Sequence, residues 1–125
     1  MARTLIVDDE EDMRVLLRLT IDRENRGLVV VGEASSGEEA IAIHQELAPD
    51  IVVLDQRMPG LTGVETARAL LAEAPDLGIV LYSAFLDAQV AGEAEGAGVR
   101  HCVKKGDSAG LIRALRALLD GLHRE

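Results

Sequence analysis

Short apolar runs alternate with longer amphipathic stretches from one end of the chain to the other. "TLIV" (4–7), "GLVVVGEA" (27–34), "IVVL" (51–54), "GIVLYS" (78–83) and "VRHCV" (99–103) are rich in β-branched residues and predict five strands. Between them, "EDMRVLLRLTIDRE" (11–24) sets Met13, Leu16, Leu17, Thr20 and Ile21 at helical spacing. "SSGEEAIAIHQELA" (35–48) offers Ser35 or Ser36 as a helix cap with acids in the first turn. "GVETARALLAEA" (63–74), a weaker "LDAQVAGEAEG" (86–96) interrupted by Gly92, and "SAGLIRALRALLDGLHR" (108–124) complete five helices. Ala-Pro-Asp at 48–50 and again at 74–76 ends a helix and opens a strand, proline acting as the stop. Strands apolar throughout and alternating with helices predict an α/β fold: a doubly wound five-stranded parallel sheet with helices on both faces and right-handed crossovers.

The last helix carries Leu111, Leu115, Leu118 and Leu122 in one seam with Ile112 and Leu119 beside it. That seam reads first as core, and second as a contact for a homodimer or an output domain.

Composition narrows the class. The 125 residues fit one domain, 1–125, able to bury about two thirds of its unfolded surface, and no linker or low-complexity tract divides them. A 48% hydrophobic and 28% charged content is globular, and with Tyr82 and Phe85 as the two aromatics the core is aliphatic. The net charge of −9 has the wrong sign for direct nucleic-acid binding or for an anionic membrane surface. Cys102, the one cysteine, has no partner for an internal disulfide and reads as a small buried hydrophobe. With no signal-peptide pattern and no spanning run, a cytoplasmic protein is expected.

Polar residues collect where chemistry is done in such folds. Ligands of open parallel sheets bind outside the carboxyl ends of the strands. Here the first strand ends in Asp8 and Asp9, the third in Asp55, the fourth in Ser83, and the fifth runs into Lys104 and Lys105. Like charges about 4 Å apart repel by roughly 4 kcal/mol at an effective dielectric of about 20, so the acids need a counter-charge. A lysine supplies one, and Mg²⁺, which takes oxygen ligands and leaves room for a phosphate, supplies more. Such a set suits phosphoryl transfer with a carboxylate as nucleophile. Taken singly, each residue has a plainer reading: Asp8 and Asp9 as helix N-terminal charges, Asp55 as a turn cap, Ser83 as a turn residue, and the lysine as a solvated side chain.

Together the set resembles the receiver domain of two-component response regulators. The resemblance rests on Asp8-Asp9, on Asp55 followed by Met58-Pro59 and Gly63, on Ser83-Ala84, and on Lys105, and it spans residues 3 to 122. It implies a flavodoxin-like strand order 2-1-3-4-5. It further implies that Asp55 is phosphorylated by a sensor histidine kinase or a small phosphodonor. Asp9, Asp55 and the Arg57 backbone carbonyl would hold Mg²⁺, with Asp8 acting through a water. Ser83 and Lys105 would bind the phosphoryl group, and small Ala84 would leave it access. The surface of the fourth helix, fifth strand and fifth helix would carry the signal to an output domain or downstream protein. The domain would assist its own phosphorylation and dephosphorylation without being a dedicated turnover enzyme. A receiver-like module that signals without phosphorylation is the alternative.

Two positions depart from the family's pattern. Cys102 stands where the fifth strand usually has a switching aromatic, leaving open whether Tyr82 or Phe85 replaces it; Tyr82 reads equally as a strand residue with its hydroxyl at the rim. Gly106 stands where a cis proline usually follows the lysine. A non-proline cis bond costs roughly 3 kcal/mol, so a trans bond or a reshaped loop is expected. Two other classes fit less well. A haloacid-dehalogenase-type phosphatase needs an acid at position 57, which is Arg57, and a dinucleotide fold needs a glycine-rich turn where this chain has "DDEED".

Overall fold

The computed structural model describes residues 1–24 and 26–122. The elements are β1 (Ala2–Val7), α1 (Glu11–Glu24), β2 (Leu28–Ala34), α2 (Gly37–Leu47), β3 (Ile51–Leu54), α3 (Gly63–Glu73), β4 (Gly78–Ser83), α4 (Ala88–Ala97), β5 (His101–Lys104) and α5 (Ser108–Leu122). Residues 123 and 124, which the helical pattern includes in the last helix, lie outside the described residues. All neighbouring strands pair in parallel, in the order β2-β1-β3-β4-β5.

Alternation along the strands divides the apolar residues between two faces. Ile6, Ile51, Val53, Val80, Tyr82 and Val103 pack under α1 and α5 with Leu17, Ile21, Leu111, Leu115 and Leu118. Leu5, Val7, Val52, Leu54, Ile79 and Leu81 pack under α2, α3 and α4 with Ala40, Val64, Ala67, Leu70 and Ala94. The central strands β3 and β4 are buried at every position, which is why they show no polar alternation in the sequence.

The α5 seam is core: Leu111, Leu115, Leu118 and Leu119 are buried, and Ile112 and Leu122 pack half-buried at its edge. On α1 the helical stripe is narrower than its spacing suggested. Leu17 and Ile21 are buried and Met13 packs beside them, whereas Leu16 is 54% exposed and shares the outer side with Val15 and Leu19.

Helix ends follow the expected chemistry where side chains cap them. Of the two serines, Ser36 is the α2 cap, its hydroxyl accepting from the Glu39 amide at 3.1 Å. Thr62 and Glu65 form a reciprocal capping box on α3. Thr62→Ala is therefore expected to cost about 1 kcal/mol, read as a lower Tm or urea midpoint. Asp87 caps α4, so that helix begins at Ala88 and not at Leu86. Val99 is not a strand residue: Gly98 adopts φ +101° and the Val99 amide donates back to the Ala94 carbonyl, closing α4 and delaying β5 to His101.

Candidate functional site

The sheet's carboxyl edge gathers the charged residues by simple periodicity. Asp8 continues the alternation of Ile6, Asp55 that of Val53, and Lys105 that of Val103, so all three emerge on the α1/α5 side. Asp8 and Asp55 are buried, at 1% and 5% exposure, while Asp9 is exposed. One carboxylate oxygen from each of Asp8, Asp9 and Asp55 lies within 4.8 Å of the others.

Lys105 binds into this cluster. Its Nζ is 2.9 Å from Asp8 Oδ2 and 3.1 Å from Asp55 Oδ2, with its side chain 11% exposed. The remaining oxygens of the two buried acids have backbone donors: Asp8 Oδ1 accepts from the Glu10 amide at 2.9 Å, and Asp55 Oδ1 from the Gln56 amide at 2.8 Å. Burial and the neighbouring Asp8 charge push the Asp55 carboxyl above its ordinary range, although Lys105 and the Gln56 amide pull it back. Burial disfavours the charge on Lys105, but the hydrogen bond to Asp8 and the charge of Asp55 outweigh it, and the ammonium is held above its usual value.

Ser83 is fully buried at the end of β4, and its hydroxyl is engaged within its own loop. Oγ accepts the Phe85 amide at 3.2 Å, while the Ser83 carbonyl accepts the Lys105 amide at 2.9 Å. Ala84 beside it is exposed. Arg57, two residues after Asp55, is exposed, and its guanidinium stacks over the Phe85 ring at 4.0 Å. The pair borders a cleft of about 420 Å³ between the loops that follow β3 and β4. Cys102 packs half-buried against the α4 side, its thiol pushed up by burial and by Glu95. No peptide bond is cis among the described residues, and Gly106 turns the Lys105 loop with φ +98°.

Three participants were not singled out in the sequence. Glu10, the third acid of "DDE", lies 3.9 Å from Lys105 Nζ. Arg14 donates to the Asp8 carbonyl at 2.7 Å from one turn into α1. Gln56 accepts the Val64 amide on its side chain at 2.9 Å, joining the phosphoacceptor candidate's neighbour to the start of α3.

Comparison with known proteins is decisive. The family model "Response regulator receiver domain" matches residues 4–116. The chain belongs to the response regulator receiver family. Among relatives of this receiver, the chemotaxis protein CheY of Thermotoga maritima is 36% identical over 103 residues, covering 82% of this chain and 84% of that protein. Response regulator GacA of Pseudomonas viridiflava is 44% identical over 81 residues, 64% of this chain and 37% of GacA, so the match spans less than two fifths of that relative's length. A crystal structure of a LuxR-family two-component response regulator from Aurantimonas sp. SI85-9A1 superposes with a TM-score of 0.91 at 34% identity, covering 97% of this chain and 86% of that one. The flavodoxin-like sheet order and the two-component setting implied by the motifs are those of the family, whose receivers bind Mg²⁺ in an acidic pocket and work with histidine kinases and output partners. Among the described residues no helix is long and apolar enough to cross a membrane.

Proposed function

We propose that this receiver accepts a phosphoryl group on Asp55 from the phosphohistidine of a sensor histidine kinase, or from a small phosphodonor, and that the modification switches its α4-β5-α5 surface. The observation that carries this reading is Lys105 Nζ bridging Asp8 and Asp55 within a three-carboxylate cluster. An all-oxygen donor set of this kind fits a hard divalent cation. Asp9 and Asp55, with the Arg57 carbonyl, would hold Mg²⁺, and Asp8, already engaged by Lys105 and the Glu10 amide, would reach it through water. Bound there, Mg²⁺ supplies charge neutralisation for the phosphoryl oxygens.

In the transfer, an Asp55 carboxylate oxygen attacks phosphorus. The new P–O bond replaces the donor's P–N bond, and the departing imidazole keeps the electron pair and takes up a proton. Lys105 stays charged throughout and holds a phosphoryl oxygen. The added group brings about −1.5 to −2 charges and three acceptor oxygens. Ser83 Oγ accepts the Phe85 amide through a lone pair and keeps its proton free to donate to one of them, so a shift of Ser83 toward the phosphoryl group carries the loop between β4 and α4 with it through that bond. That loop leads into the helix least anchored in the core, since Ala94 is the buried residue of α4. A conformation selected at Asp55 is thereby read at α4 and β5.

On this reading residues 1–125 form one cytoplasmic receiver unit that contacts kinase and output protein, or a second copy of itself, and its −9 charge leaves DNA contact to other chains or segments. It is a phosphoacceptor and not a turnover enzyme. With Mg²⁺ present, acetyl phosphate is expected to phosphorylate the wild type, and beryllium fluoride to bind it; Asp55→Asn should do neither. Equal response from both proteins would leave the phosphorylation-independent module as the better account. The same variant also tests the electrostatics. A carboxyl whose folded pKa is raised contributes most to stability below its ordinary 3.8 and loses that contribution as pH rises through the folded value. At neutral pH its charge is a burden, so Asp55→Asn should raise Tm by about 2–5 °C.

A further inference from the structure

The loop that carries Lys105 is fastened to β4 at two successive residues. The Lys105 amide donates to the Ser83 carbonyl at 2.9 Å, and the Gly106 amide donates to the Tyr82 hydroxyl at 3.1 Å. The second bond is unusual because it runs from a backbone turn to a side chain that is otherwise core. Tyr82 is 5% exposed, and its ring packs with Val103, Leu111 and Leu115 on the α1/α5 face. A phenylalanine would fill that space equally well; the hydroxyl has a function the packing does not explain. Gly106 supplies the other half of the contact. Its φ of +98° is disfavoured for side-chain-bearing residues, although an added Cβ would meet nothing within 4 Å. The glycine is therefore there for its backbone, and that backbone turns its N–H toward Tyr82.

The consequence falls on the ammonium one residue earlier. Lys105 Nζ has to reach both Asp8 and Asp55 from a loop held on its far side by the Asp107 amide bonding the Lys104 carbonyl and by Asp107 capping Gly110. Fixing the peptide between Lys105 and Gly106 fixes where the lysine stem starts. Tyr82 also directly precedes Ser83, so one β4 dipeptide holds the hydroxyl for the phosphoryl group and the anchor for its lysine.

We infer that Tyr82 is a positioning residue: its hydroxyl, through Gly106, places Lys105 for the phosphoryl group on Asp55. The inference rests on the phosphoryl-transfer reading above. It concerns the lysine alone, whose ammonium shares the carboxylates with the cation, so Mg²⁺ affinity should not fall.

The test is a double-mutant cycle on the full chain with Tyr82→Phe and Lys105→Ala, reading Mg²⁺ affinity and Mg²⁺-dependent beryllium fluoride affinity separately. Tyr82→Phe should weaken beryllium fluoride binding about three- to tenfold, the span one neutral hydrogen bond corresponds to, and leave Mg²⁺ affinity within about twofold. In the Lys105→Ala background the same substitution should have no further effect on either. An equal loss in both backgrounds, a parallel loss of Mg²⁺ affinity, or no loss at all would overturn the role for Tyr82. A wild type that binds Mg²⁺ but not beryllium fluoride would overturn the phosphoryl-transfer reading itself, and this inference with it.

Discussion

Lys105→Ala is expected to destabilise the domain by about 3–5 kcal/mol at neutral pH, lowering Tm by roughly 10–20 °C, and to weaken beryllium fluoride binding by more than about tenfold while leaving it measurable at high fluoride. The size follows from what is left behind. Asp8 and Asp55 are buried, and each directs its Oδ2 at the same ammonium, 2.9 and 3.1 Å away. Removing that cation leaves two carboxylates facing each other with a backbone amide apiece and no counter-charge. The variant should therefore show its own pH dependence. Deprotonation of the lysine itself matters only in alkali, because its folded pKa lies above the ordinary 10.5: the part of the stabilisation linked to its own proton is present below 10.5 and fades as pH rises through the higher value. Asp55 works the other way, most favourable below 3.8 and a growing burden as pH climbs through its raised folded value. Without Lys105 that burden increases, so the variant's deficit against wild type should be largest near neutrality and shrink as the medium is acidified. Mg²⁺ should recover more stability in the variant than in the wild type, since it restores counter-charge to a site that has lost one. Urea titrations at several pH values, with and without Mg²⁺, measure all of this. A neutral-pH deficit below about 1 kcal/mol would mean that the two carboxylates are solvated and that the ion pairs are surface pairs in all but geometry.

The residues at the strand ends were legible because a parallel sheet leaves little choice about them. Once "IVVL" is a doubly buried strand, the next residue emerges at the carboxyl edge, and period-two alternation places Asp8, Asp55 and Lys105 on one side. Contacts made by loop backbone were not legible, because no periodicity governs them. Nothing in "YSAF" indicates that the Ser83 hydroxyl turns to the Phe85 amide, or that Tyr82 reaches Gly106 across 24 positions of sequence. The fifth strand was placed two residues early for a related reason. Val99 is apolar and buried like a strand residue, but Gly98 before it closes α4, and the Val99 amide is used in that cap. Leu16 shows the converse: helical spacing allows it to face the sheet, but α1 is turned so that Leu17 and Ile21 do, and spacing alone does not set that rotation. The departures at Cys102 and Gly106 were visible as departures, whereas the Gly106–Tyr82 bond is a tertiary contact that no local pattern announces.

A second large effect is expected at Gly63, where α3 meets the backbone of Asp55. Gly63 opens the helix, and its amide donates to the Gln56 carbonyl at 2.9 Å while the next amide, Val64, donates to the Gln56 side chain at 2.9 Å. A methyl group built on Gly63 would collide with the Asp55 carbonyl oxygen and stand 2.8 Å from Leu81 Cδ1 and 2.9 Å from Gln56 Cα. Two of those three obstacles are backbone and cannot swing aside. Helix propensity favours alanine over glycine by about 1 kcal/mol, so an unobstructed position would gain stability from the change. Here overpacking of about 1–3 kcal/mol adds to the loss of the two Gln56 bonds, about 0.5–1.5 kcal/mol each, and exceeds the propensity gain. Gly63→Ala is therefore expected to lose about 2–4 kcal/mol and, by pushing α3 off the Asp55–Gln56 peptide, to slow phosphorylation by acetyl phosphate as well. Gly92 in the middle of α4 provides the contrast within the same molecule, because a methyl there would meet nothing within 4 Å. Gly92→Ala should gain about 0.5–1 kcal/mol with the phosphorylation rate unchanged. Denaturant titration of the two variants side by side decides the matter. If both gained stability, the helix would be free to retreat from Asp55 at no cost, and the close approach of α3 would have no part in holding that residue in place.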